Sequence, residues 1–322
     1  MLGFLARRIP SVLVVAIVTS LIAFTLPRLA PGDPAVAVAG SEATPEQLAA
    51  VRAELGLDRA LPLQYWDWVS GLFQGDLGNS LITNRPVAQL ILTRMESTLE
   101  LAALATVLMI IVGLGLGVAA GSSRTVWGRA ALDIVTTICL ATPPFLTGLI
   151  LIVVLGITFP IMPVSGEVLL SEDFWGGLQY LILPALALAI PQGALVARLL
   201  QTTMTATKNE DFVDLAKAKG VPRKKIMRRH ILRNSWGPAV VAIGLRVGDL
   251  LAGAIVVEAI FARNGLGILA VDAVQSRDYL VLQALILGAV LIAVFIQLIS
   301  EIILAALDPR IRLEGEDGRH NR

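Results

Sequence analysis

Apolar residues fill this chain in long blocks rather than in the narrow stripes of a soluble helix, and the polar residues gather between the blocks. A hydrocarbon core about 30 Å thick is crossed by about 20 helical residues, each rising about 1.5 Å. Six blocks reach that length: Ile9 to Leu26, Thr98 to Ala120, Leu132 to Ile157, Leu178 to Thr203, Pro238 to Val257 and Leu280 to Leu307. The pattern predicts an all-α polytopic membrane protein with six transmembrane helices. The first block reads as a span rather than a cleaved leader behind Arg7 and Arg8. Ala37 and Ala39 offer small residues for cleavage, but Pro31-Gly32-Asp33-Pro34 intervenes.

Prolines inside a span remove a backbone hydrogen bond where no water can replace it. Pro143 and Pro144 are expected to break the third span, and Pro184 and Pro191 to bend the fourth. Such breaks suit helices that line a pathway, although packed bundles carry them too. Between Arg28 and Ser97 the pattern changes to short amphipathic helices lying on the outer face. Thr44 is placed as an N-cap with Pro45 at the first helical position; Leu48, Val51 and Leu55 repeat at helical spacing up to Gly56. Tyr65, Trp66 and Trp68 are the aromatic residues of a headgroup boundary. The expected division is 1–97, the first span with its extracytoplasmic segment; 98–307, a core of five spans; and 308–322, a cytoplasmic tail.

Composition agrees, with 56% hydrophobic and 16% charged residues in 322. The net charge of +1 conceals an asymmetry. Seventeen Lys and Arg fall on the side of the N-terminus and seven on the other, which puts both termini in the cytoplasm. Nine of the seventeen lie between Lys208 and Arg233, in the loop joining the fourth and fifth spans. The lone Cys139 excludes an intramolecular disulfide, and His230 and His320 without a Cys/His cluster give no metal site. Gly265 and Gly267 belong to neither GxGxxG nor a P-loop, so the chain offers no nucleotide site of its own. An intramembrane enzyme would need a nucleophile, dyad or metal within the spans, and none is visible. A basic loop acting on nucleic acid or anionic lipid is the remaining non-transport reading.

Charged residues inside spans narrow the field. Arg198 sits near the cytoplasmic end of the fourth span, within snorkelling reach of the interface. Arg246 and Asp249 share a helical face of the fifth span, where an unpaired charge costs about 2.5–3.5 kcal/mol. They are candidates for a pathway lining or for a structural ion pair, and Glu258 follows at the outer end of the same span. In the basic loop, Asp211 to Ala218 and Arg223 to Arg233 read as two short helices parted by Gly220 and Pro222. Phe212, Leu215 and Ala216 are expected on one face and Lys217 and Lys219 on another. Ile226, Ile231 and Leu232 accompany Arg228, Arg229 and Arg233, giving a compact knob able to enter a groove on a partner.

The ordered set PGDP at 31–34, LGLD at 55–58, GDLG at 75–78, TLELA at 98–102, LILPAL at 181–186, RHILRN at 229–234, GAIVVEAIF at 253–261, RDY at 277–279 and DPRIRL at 308–313 resembles one family. It is that of the binding-protein-dependent ABC importer permeases, in the dipeptide, oligopeptide and nickel group. The resemblance implies a type I ABC importer permease fold. It also implies a transport subunit, not an enzyme, that takes short peptides from a substrate-binding protein across the cytoplasmic membrane of a bacterium or archaeon by alternating access. A nickel complex, glutathione or an opine is the alternative cargo. The implied partners are a second homologous permease subunit, two ATPase subunits, an extracytoplasmic peptide-binding protein and membrane lipid, with no nucleic acid. ATP and Mg belong to the ATPases, and this chain carries no cofactor. The family's coupling signature, acidic-Ala-Ala-x-x-x-Gly, falls on Asp214, Leu215, Ala216, Lys217, Ala218, Lys219 and Gly220, with Asp for Glu and Leu for the first Ala. Arg263-Asn264 departs from the family pattern, which has an apolar residue and Pro before Gly-Leu-Gly.

Overall fold

The computed structural model describes residues 2–29, 33–40 and 42–307. Pro31 and Gly32 of the first motif, the DPRIRL motif and the 308–322 tail lie outside the described residues. The helices are α1 (Leu2–Leu29), α2 (Pro34–Ala39), α3 (Pro45–Glu54), α4 (Leu61–Phe73), α5 (Val87–Ser122), α6 (Val126–Ala141), α7 (Pro144–Leu151), α8 (Phe174–Thr207), α9 (Asp211–Ala218), α10 (Arg223–Lys225), α11 (Arg233–Phe261), α12 (Leu266–Ser276) and α13 (Tyr279–Leu307). Two π-helical stretches join them, Ile152–Thr158 after α7 and Ile226–Leu232 between α10 and α11. Five helices are long and apolar enough to cross a membrane, and a bent pair makes a sixth crossing if counted as one.

That pair is the third span. α6 and the α7 segment meet at 106°. The cause is local, since Pro143 and Pro144 cannot donate and a residue before proline is driven out of the helical region. Thr142 accordingly sits at φ −88°, ψ 116° and Pro143 at φ −61°, ψ 153°, two extended residues between two helices. α8, in contrast, remains one helix through both Pro184 and Pro191, which are buried.

The chain packs as two compact units, one of Met1–Thr98 with Asn264–Val294 and one of Leu99–Arg263 with the segment from Phe295. In the first, α3 opens with a capping box: Thr44 Oγ1 accepts from the Gln47 N–H at 3.3 Å, and Gln47 Oε1 accepts from the Thr44 N–H at 2.9 Å. The aromatic trio divides. Tyr65 and Trp68 turn inward onto Phe24 of α1, with ring centroids 5.3 and 6.0 Å away, and the Tyr65 hydroxyl meets Ser20 Oγ at 2.8 Å. Trp66 alone of the three faces outward. Ser80 and Asp278 are joined by a buried hydrogen bond that ties the GDLG turn to the RDY motif.

In the second unit α8 is the central helix, packed against α6, α7 and α11. Seven of its sixteen buried residues are Ala or Gly, which lets neighbouring backbones come close. α5 uses the same device. A Cβ at Gly113 would come within 2.8 Å of Val196, one at Gly117 within 3.0 Å of the Ala197 carbonyl oxygen, and one at Gly121 within 2.7 Å of the Met204 sulfur. These three glycines, one every four residues, form the face on which α8 rests.

Candidate functional site

The segment joining α8 to α11 is built around a helix end. Lys219 closes α9 near φ −77°, ψ 5°, and Gly220 follows at φ +71°. The Val221 N–H reaches the Ala216 carbonyl at 3.1 Å and the Gly220 N–H reaches that of Lys217 at 3.0 Å. This pair of bonds is the Schellman arrangement, which requires a left-handed residue where Gly220 stands. Pro222 then blocks further winding, and the chain re-enters a helix at Arg223.

α9 has a sharp inside and outside. Val213 and Ala216 are buried in a cluster with Leu200 and Met204 of α8, Ile226, Ile231 and Ala239, flanked by Val221, Leu114 and Val118. Leu215 is 56% exposed and Phe212 40%, an apolar pair open to the surroundings. Asp214 and Lys217 pair on the surface at 2.7 Å. The sequence grouping of Phe212, Leu215 and Ala216 is therefore corrected. Ala216 lies one residue, about 100° of helix, beyond Leu215 and is turned inward onto the cluster of Leu200, Met204, Ile226 and Ile231. Ile226 and Ile231 are likewise buried, so they seat the knob on its own bundle and do not form its free surface.

The second short helix of the loop is also not separate. From Arg223 through the π-helical stretch to Phe261 the chain is helical throughout, 39 residues without a break. π turns inside α-helices concentrate at functional sites. Hydrogen bonds fix its base to the end of α8: Thr207 Oγ1 lies 3.1 Å from Ser235 Oγ, and Thr203 Oγ1 donates to the Ser235 carbonyl at 3.3 Å. α9 packs on the base of this long helix, which continues into the core of the unit.

The charged residues of α11 are not one group. Arg246 and Asp249 pair at 2.5 Å, and both side chains remain partly exposed. Glu258 lies nine residues, about 13.5 Å of helix, beyond Asp249 and is fully buried. It belongs to a second cluster that sequence reasoning missed. Ala262 ends α11 at φ +51°, and the next residue, Arg263, is 0% exposed. Its guanidinium lies 3.7 Å from Glu100 Oε2 and 4.0 Å from Glu167 Oε2. Burial lowers the pKa of Arg263, while Glu167, Glu100 and Glu258 act in the opposite sense. Glu100 Oε1 also accepts the Leu170 N–H at 2.8 Å, and the Gly166 N–H meets the Phe261 carbonyl at 3.0 Å. The departure at Arg263 was the visible signal, for a cation in an apolar position demands buried anions, and Glu100 and Glu258 lie within the quoted motifs.

Comparison with known proteins shows the family of the chain. Residues 112–313 match the model of the binding-protein-dependent transport system inner membrane component, and residues 1–102 match the N-terminal model for membrane components of such systems. The chain is 36% identical over 312 residues to the glutathione transport system permease protein GsiC of Escherichia coli, covering 97% of this chain and 99% of that protein. It is 34% identical over 309 residues to a probable peptide ABC transporter permease protein of Sinorhizobium fredii, covering 96% and 99%. Among solved structures, the MetNI methionine ABC transporter in inward-facing conformations aligns with TM-score 0.57 at 15% identity, over 68% of this chain and 97% of that one. That likeness speaks to fold alone.

Proposed function

Because the chain belongs to the family of inner membrane components of binding-protein-dependent transport systems, we infer that it is the permease subunit of an ABC importer whose cargo is a short peptide. The observation that carries the coupling role is α9, a short helix locked at its end by Gly220, seated by Val213 and Ala216 and showing Phe212 and Leu215 outward. In this reading α9 lies on the cytoplasmic side with Asp214, Leu215, Lys217 and Lys219 toward an ATPase subunit, while Ala216 and Gly220 hold the helix in shape. Closure of two ATPases on ATP and Mg moves α9. The continuous helix Arg223–Phe261 then carries that motion to the pathway. A second permease subunit completes the pathway, the Arg246–Asp249 pair lies on the face of α11 turned toward it, and an extracytoplasmic binding protein supplies the cargo.

Glutathione, itself a tripeptide, is the cargo named for one set of relatives, and a dipeptide or oligopeptide fits the other. The test is reconstitution of the chain with its partner permease, ATPases and binding protein in proteoliposomes. Uptake of labelled dipeptide, longer peptide or glutathione that needs both ATP and the binding protein is the expected result. Uptake of none of them, by an importer whose ATPase activity responds to the loaded binding protein, would refute the peptide assignment.

A further inference from the structure

A cleft of about 490 Å³ opens between α6 and the last turns of α8, lined by Arg129, Asp133, Arg198, Gln201, Thr205 and Asn209 among others. It carries surplus positive charge. Its one lining carboxylate, Asp133, already accepts the Gln201 amide at 2.6 Å, and among the described residues it makes no ion pair with either arginine. Arg129 has only a long 3.4 Å contact to Thr205 Oγ1. Arg198 projects from inside the α8 span, nine residues before its end, with its side chain exposed. The hydroxyls of Thr136, Thr202 and Thr205 donate to the carbonyls of Leu132, Arg198 and Gln201. The donors left to a ligand are therefore two guanidinium groups, the Asn209 amide and the Thr137 hydroxyl, a set dominated by fixed positive charge and suited to an anion rather than to a neutral polyol. Lys208, which does not line the cleft and donates to the Gly121 carbonyl, has its pKa lowered by burial first and then by repulsion from Arg129 and Arg223.

We propose that the α6–α8 cleft is an oxyanion site in which Arg129 and Arg198 grip one carboxylate or phosphate, with Asn209 as a third donor. Two molecules at this end of the bundle present that group, the free carboxylate of a peptide leaving the pathway and the phosphate of an anionic lipid headgroup. The peptide source rests on the transport reading above, and the lipid source does not.

Both are tested on the full-length chain in nanodiscs. Native mass spectrometry compares retained lipid in discs with and without phosphatidylglycerol in phosphatidylcholine. Calorimetry in phosphatidylcholine discs compares Ala-Ala with its C-terminal amide. The expected result is binding of at least one oxyanion probe, weakened at least tenfold in the double variant Arg129→Gln, Arg198→Gln. Retained phosphatidylglycerol identifies lipid as the ligand, and preference for the free acid identifies the peptide. The proposal is overturned if neither probe binds, or if the double variant binds as the wild type does. Acid against amide, and anionic against neutral lipid, are compared on the unmodified chain, so a folding defect in the variant leaves the test intact. Oxyanion binding in a chain whose importer takes up no peptide counts against the transport reading alone.

Discussion

Replacing Gly220 isolates the backbone requirement of the α9 turn from its side-chain contacts. At φ +71° a residue with a Cβ is strained by about 1–2 kcal/mol, while a Cβ built there meets no atom of this chain within 4 Å. The penalty is therefore conformational and falls on the two bonds that close α9, from Val221 to Ala216 and from Gly220 to Lys217. One to two kcal/mol is about a 5- to 30-fold shift between the closed turn and its alternatives. Gly220→Ala should lower peptide uptake per ATP hydrolysed several-fold in the reconstituted importer. Gly220→Val should lower it further, because a β-branched residue tolerates positive φ poorly, and Gly220→Asn least, because Asn visits this region readily. Gly237→Ala is the control, a helical glycine with ordinary φ and open space around its Cβ. Uptake per ATP unchanged in the Ala and Val variants, or lost equally with Asn, would refute the argument.

Leu215→Asp should leave the melting temperature of the detergent-purified chain nearly unchanged while abolishing coupled uptake. Val213→Ala should cost on the order of 2 kcal/mol of stability, because Val213 is fully buried and Leu215 is not. Arg263→Met should destabilise by about 3–5 kcal/mol, since Glu100, Glu167 and Glu258 would remain around a lost cation, and pairing it with Glu100→Gln should recover part of that loss in thermal unfolding. Gly117→Leu should prevent stable membrane insertion or folding, read as loss of monodisperse protein on size exclusion, because its Cβ already lies 3.0 Å from the Ala197 carbonyl oxygen.

The spans were legible because membrane burial writes itself as length and apolar content, and the break at Pro143-Pro144 because proline chemistry is local. The α3 capping box was legible for the same reason, with Thr44 and Gln47 three residues apart in sequence and in contact. What sequence left open depends on partners far along the chain. Ala216 and Leu215 are alike to a periodicity argument, and only the positions of Met204, Ile226 and Ile231 decide which is covered. The same holds for Tyr65 and Trp68, whose packing on Phe24 depends on a helix about forty residues earlier in the chain. The Arg263 cluster gathers residues 100, 167, 258 and 263, whose separations carry no local signal. The continuity of Arg223–Phe261 was hidden by Pro238, which reads as a helix start but here lies inside the helix.

The central claim is that α9 meets the ATPase through Leu215. A photo-crosslinking amino acid at Leu215, in the assembled importer, tests it most directly, with Leu63 of α4, also exposed and expected on the opposite side of the membrane, as the reference position. The expected result is an adduct between this chain and the ATPase subunit from position 215 and none from position 63. An importer that transports peptide yet yields no ATPase adduct from position 215, or yields one from position 63, would contradict the account.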